Sequence, residues 1–242
     1  VQTWKGPVQG AGMLHSRGYD KRRKKLGRAQ LAEYKASQFF KMLAESERPL
    51  IYAGGGVINS NAAEELREFS KTFGIPVVNT LMGIGCVDVH DELSLHMLGM
   101  HGTAFANYAV EDCDMLIATG SRFDDRVAGK VKEFAPGARH IAHIDIDAAE
   151  IGKVKNVNWY FVGDAKTGLS GLLEYGRQVG FKKDYSEWHK HLQEMKSEHA
   201  LNYDRENPLI QPQQVVEELS ELTDGEAIIS TGVGQHQMWA AQ

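Results

Sequence analysis

Residues 114–130, DMLIATGSRFDDRVAGK, set Arg122 and Arg126 among Asp124 and Asp125 directly behind the small or apolar run Met115–Thr119. A guanidinium meets a phosphate or carboxylate with paired hydrogen bonds, while a carboxylate accepts from a hydroxyl or steadies a guanidinium. At a strand end this mixture suits a ligand with both anionic groups and sugar hydroxyls; an exposed salt-bridged loop is the plainer reading. Other segments end alike: AGGG (53–56), NTLMG (79–83), DIDAAE (145–150) and VGDA (162–165). Glycine admits close approach to the backbone, and helix N-termini offer free N–H groups to anions. Such ends gathered on one sheet edge predict a large, nucleotide-like ligand.

The elements that must gather them alternate along the chain. A helical pattern begins at Arg28, with Ala32, Phe39, Phe40 and Leu43 on one face. The strand LIYA (50–53) follows, then a helix opened by an Asn61/Glu64 capping box, carrying Leu66, Phe69 and Phe73 and stopped by Gly74. Next come the strand PVVNT (76–80), a helix over Ala104–Val110, the strands MLIAT, HIAHIDI (140–146) and WYFV (159–162), and a helix over 165–178. Short strands alternating with helices imply a parallel sheet, because parallel neighbours need crossover connections. The expected fold class is therefore α/β, a doubly wound parallel sheet over residues 29–180. Residues 1–28 read as a linker, 181–210 as a polar helical connection, and 211–242 as the start of a second α/β unit with a helix (211–222), a strand AIIS (227–230) and a glycine turn.

Bulk properties exclude several classes. The chain has 242 residues, 42% hydrophobic and 24% charged, with a net charge of −5, which argues against nucleic acid as a partner. No apolar run is long enough to span a bilayer, and a cytoplasmic location is expected. Cys86 and Cys113 lack metal-ligand spacing and read as reduced, structural thiols; His189, His191 and His199 read as solvent-facing, and no metal site is expected. The basic run KRRKK (21–25) reads as a solvated linker or an anion contact. The dinucleotide fingerprint is met only in part, since Gly54-Gly55-Gly56-Val57-Ile58-Asn59 lacks the last glycine. The second strand ends in Asn79-Thr80 rather than in the acid that binds a ribose in nicotinamide enzymes, which counts against an NAD-dependent dehydrogenase.

TLMGIG (80–85), LGMHGTAFAN (98–107), GSRFDDRVAGK (120–130), HIDIDAAEIGK (143–153) and STGVGQHQMWAAQ (230–242) together resemble the large catalytic subunit of acetolactate synthase (acetohydroxyacid synthase). The resemblance implies a Rossmann-like central domain of a thiamine-diphosphate enzyme that also holds FAD. It implies a transferase of branched-chain amino-acid (isoleucine and valine) biosynthesis, which decarboxylates pyruvate and joins the two-carbon product to pyruvate or 2-oxobutyrate. FAD is expected to be structural there, with no net redox change. A homodimer or tetramer with a regulatory small subunit is implied for the complete protein. A related FAD and thiamine-diphosphate enzyme, of pyruvate oxidase or glyoxylate carboligase type, is the alternative.

Carried over by residue, the resemblance assigns Arg22, Gly54, Gly55, Gly56, Thr80, Leu81, Met82, Gly99, Met100, His101 and Gly102 to FAD. It adds Gly120, Ser121, Arg122, Asp124, Arg126, Val127, Asp145, Ile146, Asp164 and Ala165. Arg126 and Met100 are expected beside the substrate, Arg126 on the acceptor's carboxylate, although Met100 also reads as core packing. Val233, Gly234, Gln235 and His236 are expected to begin the thiamine-diphosphate site. The family's catalytic glutamate and its magnesium-binding G-D-G motif have no counterpart here; TDGEA (223–227) precedes a strand instead of following one. The chain alone is therefore expected to bind FAD but to be inactive.

Overall fold

The computed structural model describes residues 29–242, so Arg22 and the 21–25 run lie outside the described residues. Helix α1 (Glu33–Glu45) buries Ala36, Phe39, Phe40 and Leu43. Ala32 stands instead at the N-cap in extended conformation, so the apolar face starts one turn later than its spacing suggested. Strand β1 (Pro49–Ala53) is wholly buried and leads into the short α2 (Gly55–Asn59). Helix α3 (Ala63–Phe73) buries Leu66, Phe69 and Phe73 and ends on left-handed Gly74, as the pattern indicated. Its capping box does not form: Ala62 is the N-cap without a side-chain bond, and Asn61 takes a φ of 54°.

Strands β2 (Val77–Asn79) and β3 (Ser94–Met97) follow, then α4 (Ala104–Asp112), β4 (Met115–Thr119) and the one-turn α5 (Asp125–Ala128). After them come β5 (His140–Asp145), β6 (Trp159–Val162) and α6 (Ala165–Gln178). All pairings are parallel, in the order β3-β2-β1-β4-β5-β6. The doubly wound sheet expected from the alternation is thus present, with its direction of growth reversing between β1 and β4. Sequence periodicity missed β3, whose ladder is interrupted by a bulge with His96 at a φ of 62°. A residue inserted out of register breaks the alternation by which strands are read.

Side chains alternate across the sheet. One face, with Trp159 and Ile144, carries α1, α3 and α6, where Phe39, Phe40, Phe69, Phe73, Tyr175 and Phe181 meet edge-on or tilted. The other carries Tyr52 and His143, two strands apart in one register row through Ala118.

Helix α7 (Ser186–Glu198) is not a free connection. It buries Trp188, Leu192 and Met195, and this stretch donates to carbonyls at the N-terminal side of the sheet. Trp188 Nε1 reaches Pro49 O at 3.0 Å, His189 Nε2 Gly74 O at 2.7 Å, and Tyr185 Oη Leu43 O at 3.2 Å. His191 Nε2 meets the Asp112 carboxylate at 2.8 Å. The histidines expected to face solvent are partly buried, and two of them are fasteners of this helix.

Beyond it, α8 (Pro212–Leu222) and α9 (Gln235–Ala241) have no buried residues. Residues 227–230 form no strand, and Ile228 is fully exposed, because a strand needs a neighbour to bond.

At the same N-terminal side Asp114 joins three strands. It accepts from Ser46 Oγ at 2.5 Å, the Glu47 and Arg48 amides at 2.9 Å, and Arg139 Nη2 at 3.0 Å. Burial acts to raise its pKa, but these donors outweigh burial and hold it below the usual carboxylate value. The associated stability is present above the unfolded carboxylate's pKa and is lost as pH falls through the folded one. Asp114→Ala should destabilise the chain by about 1–3 kcal/mol at neutral pH, and the difference should shrink in acid, as read by urea unfolding at several pH values. Burial raises the thiols of Cys86 to about 11 and Cys113 to about 12. Neither should react with a thiol reagent at pH about 8 until the chain is unfolded.

Candidate functional site

The switch between β1 and β4 is where an open α/β sheet leaves a crevice beyond its strand ends. The two loops leaving it are drawn together by backbone bonds that continue the ladder. Gly54 N donates to Thr119 O at 2.9 Å, Gly56 N to Gly120 O at 2.9 Å, and Gly120 N to Ile144 O at 2.8 Å. A Cβ on Gly54 would stand 2.2 Å from Gly120 O, and one on Gly56 2.5 Å from Gly120 Cα. Gly120 also has a φ of 58°. These glycines are therefore required first by backbone meeting backbone; openness towards a ligand is a second consequence.

Beyond them lies a groove of about 720 Å³. It brings together Gly54, Gly55, Gly56, Thr80, Leu81, Met82, Gly120, Ser121, Arg122, Asp124, Arg126, Val127, Asp145 and Ile146, all singled out in the sequence. Asn59, Asp147 and Glu150 also line it. The strand-end logic that selected Asp145 reaches these two acids, since both lie in DIDAAE; Asn59 required the turn of α2.

The loop after β4 owes its shape to Phe123, which is buried at a φ of 56°. Its ring meets those of Tyr52 at 5.4 Å, Phe134 at 6.1 Å and His143 at 5.2 Å. Such left-handed backbone persists in a bulky residue only when packing over-determines it. With Phe123 turned inward, Arg122 and Arg126 are exposed on either side of it. The aspartates do not steady them. Among the described residues neither guanidinium is in an ion pair, and Asp124 caps α5 by accepting from Arg126 N at 3.1 Å. The plainer reading, a salt-bridged loop, thus fails.

Below the loop, His143 is fully buried and donates through Nε2 to Ser121 O at 2.8 Å. Burial lowers its pKa, so the imidazole is neutral, with Nδ1 unpartnered among the described residues. Asp145 at the end of β5 accepts from Asp147 N at 2.8 Å, and burial raises its pKa.

Some expected residues lie elsewhere. Gly99, Met100, His101 and Gly102 do not line the groove; they form the adjoining turn after β3, with Met100 N donating to Arg126 O at 3.1 Å. Met100 is 62% exposed, which removes its reading as core packing. Asp164 caps α6 by accepting from Lys166 N at 2.9 Å, and Ala165 is buried behind it, one strand beyond the groove's end. Val233, Gly234, Gln235 and His236 sit at the start of α9, with Val233 95% exposed. Among the described residues no cluster of His, Cys, Asp and Glu has a metal-binding arrangement, and no helix is long and apolar enough to cross a membrane.

A family profile described as "Thiamine pyrophosphate enzyme, central domain" matches residues 36–172, and the chain belongs to that family. It is similar to acetolactate synthase 1, chloroplastic, of Nicotiana tabacum, 49% identical over 227 residues, which are 93% of this chain and 33% of the relative. The acetolactate synthase of Arabidopsis thaliana is 51% identical over 207 residues, 85% of this chain and 30% of the relative, and acetolactate synthase 1 of Zea mays is 51% identical over the same length. The chain therefore spans about a third of the length of the curated relatives it matches. The named relatives are chloroplastic, which gives the expected cytoplasmic location no support.

Gly120→Ala should cost at least about 2 kcal/mol, from left-handed strain and from the clash with Gly56. Gly152→Ala, also at positive φ (72°) but in open space, should cost only about 1 kcal/mol. Urea unfolding of the two variants checks the contrast.

Proposed function

We propose that this chain is the FAD-holding central part of an acetolactate synthase catalytic subunit. The observation that carries the reading is the groove at the switch point, long enough to run from Leu81 and Met82 past the paired glycine loops to Asp145 and Glu150. Its volume falls within the range of small-molecule sites. Its two exposed guanidiniums lack protein counter-ions among the described residues, and the carboxylates of Asp124, Asp145, Asp147 and Glu150 line the same groove. Guanidinium donors and carboxylate acceptors are what FAD requires for its central diphosphate and for the hydroxyls of its ribityl chain and adenosine ribose. The similarity to acetolactate synthases supports the particular enzyme.

In this reading Thr80, Leu81 and Met82 lie along the flavin, Gly54–Gly56 and Gly120–Arg122 hold the diphosphate, and Asp145 accepts from the adenosine ribose. Arg126, with Met100 beside it, stands where FAD meets the acceptor keto acid and binds its carboxylate. Gly99–Gly102 flank the flavin from the neighbouring turn. Asp164 and Ala165 support the adenosine end from one strand further on. Arg22, from outside the described residues, completes the FAD contacts.

A nicotinamide cofactor is a poorer fit, because Asn79 is buried and donates to Thr80 O at 3.2 Å, leaving no acid at the end of β2. Thiamine diphosphate and Mg2+ belong to the complete protein, with Val233–His236 at the edge of the thiamine site. The exposed apolar side chains of α8 and residues 228–233 support the reading of 211–242 as part of a second α/β unit; in the same reading 1–28 is the linker, 29–180 the FAD domain and 181–210 the connection. The complete protein would condense two pyruvates, or pyruvate and 2-oxobutyrate, as a homo-oligomer with a regulatory subunit. The chain by itself would bind FAD and be inactive, since no residue described here supplies the family's catalytic glutamate or metal ligands.

Titration with FAD should give saturable change in flavin fluorescence, and Arg122→Ala should weaken it about tenfold, the loss of one charge-assisted contact. No change at millimolar protein would overturn FAD binding, and acetolactate formation from pyruvate by the isolated chain would overturn its inactivity.

A further inference from the structure

One side chain outside the groove governs how its arginine-bearing loop meets the turn after β3. Asn107, on α4, accepts from Gly99 N through Oδ1 at 2.9 Å and donates through Nδ2 to Gly99 O at 3.0 Å and to Thr103 O at 3.2 Å. The orientation of the amide is fixed by chemistry, because an N–H requires the oxygen and a carbonyl requires the NH2. Both polar groups of a single residue are thereby held by one side chain.

The residue so held is at a critical contact. Gly99 has a φ of 102°, and a Cβ there would stand 2.9 Å from Arg126 O. The next amide, Met100 N, donates to that same Arg126 O at 3.1 Å. The linkage therefore runs from Asn107 to Gly99, to Met100, to the backbone of Arg126 on α5. Ordinary helix propensity does not explain an asparagine here, since Asn is a weak helix former. Its use of both amide atoms on a loop residue does.

We infer that Asn107 is a positioning residue: by clamping Gly99 it presses the 99–102 turn onto Arg126 and sets that guanidinium at the mouth of the groove. The inference rests on the FAD reading of the groove for its binding consequence, though not for the clamp itself. A leucine at 107 has nearly the same shape and neither hydrogen-bonding function. An aspartate keeps the acceptor, loses the donor, and turns a charged oxygen towards Gly99 O; once protonated, its carboxyl again offers one donor and one acceptor.

The test compares Asn107→Leu, Asn107→Asp and, as a control on the same helix, Glu111→Gln in the whole chain. In both Asn107 variants the Met100 amide should lose at least about tenfold of its hydrogen-exchange protection, and FAD affinity should fall about tenfold, as expected for one or two hydrogen bonds. Amides of β1 and β4 should exchange as in the parent, and Glu111→Gln should change neither readout. Lowering the pH from about 7 to about 4, into the range where an aspartate takes up its proton, should partly restore Asn107→Asp relative to the parent and leave Asn107→Leu unrestored. Unchanged protection of Met100, protection lost equally across the sheet, or identical pH behaviour of the two variants would overturn the proposal, as would unchanged FAD affinity with a loosened Met100 amide. If the parent chain fails to bind FAD, the functional reading fails, and the exchange pattern with its pH reversal still decides for or against the clamp.

Discussion

The contact of Gly54 and Gly56 with Gly120 and Ser121 is the constraint on which the site depends. Parallel strands diverge at a switch point, and the loops leaving them would normally separate. Here two backbone hydrogen bonds pull the loops together, and only the absence of side chains lets the main chains approach so closely. The groove is the space left above that junction. Its floor is main chain, and its walls are what β2, β4 and β5 deliver at their ends.

The two sides of the sheet are specialised by different chemistry. At the N-terminal side, free carbonyls and amides are satisfied by protein: Asp114, at the entry to β4, collects donors from the segments that enter β1 and β5, and the segment with α7 supplies donors to Pro49, Gly74 and Leu43. At the C-terminal side, charge is left uncompensated. Arg122 and Arg126 face outward without ion-pair partners among the described residues, and Asp145 sits partly desolvated with a raised pKa. A closed edge gives stability, whereas an open one leaves electrostatic capacity for a ligand.

Between them lies the aromatic box of Tyr52, Phe123, Phe134 and His143. It converts burial into loop geometry, because the inward turn of Phe123 fixes the directions of the residues on either side of it. A neutral His143 suits this position: it donates to Ser121 O without placing a charge beneath the arginines. The adjoining turn is controlled separately, by the Asn107 amide, so the loop is held both from below and from the side.

Much of this was written in the local sequence. Alternating apolar runs and helical patterns gave the parallel α/β class, and strand-end composition pointed to most residues that line the groove, because both depend on neighbours within a few positions. What depends on contacts across the chain was not legible. The bulge at His96 hid β3, the Asn61–Glu64 pair did not close a capping box, and Ile228–Ile229 had the composition of a strand but no strand to join. Asp124 and Asp125 looked like partners for the arginines, yet local capping claimed Asp124 instead. The histidines of α7 carried no sequence mark of the carbonyl and carboxylate they meet, and Asn107 looked like any polar residue on a helix. Composition and periodicity decide which elements form, since those are short-range preferences; only the folded sheet decides which backbones touch, and here that contact, more than any single side chain, makes the site.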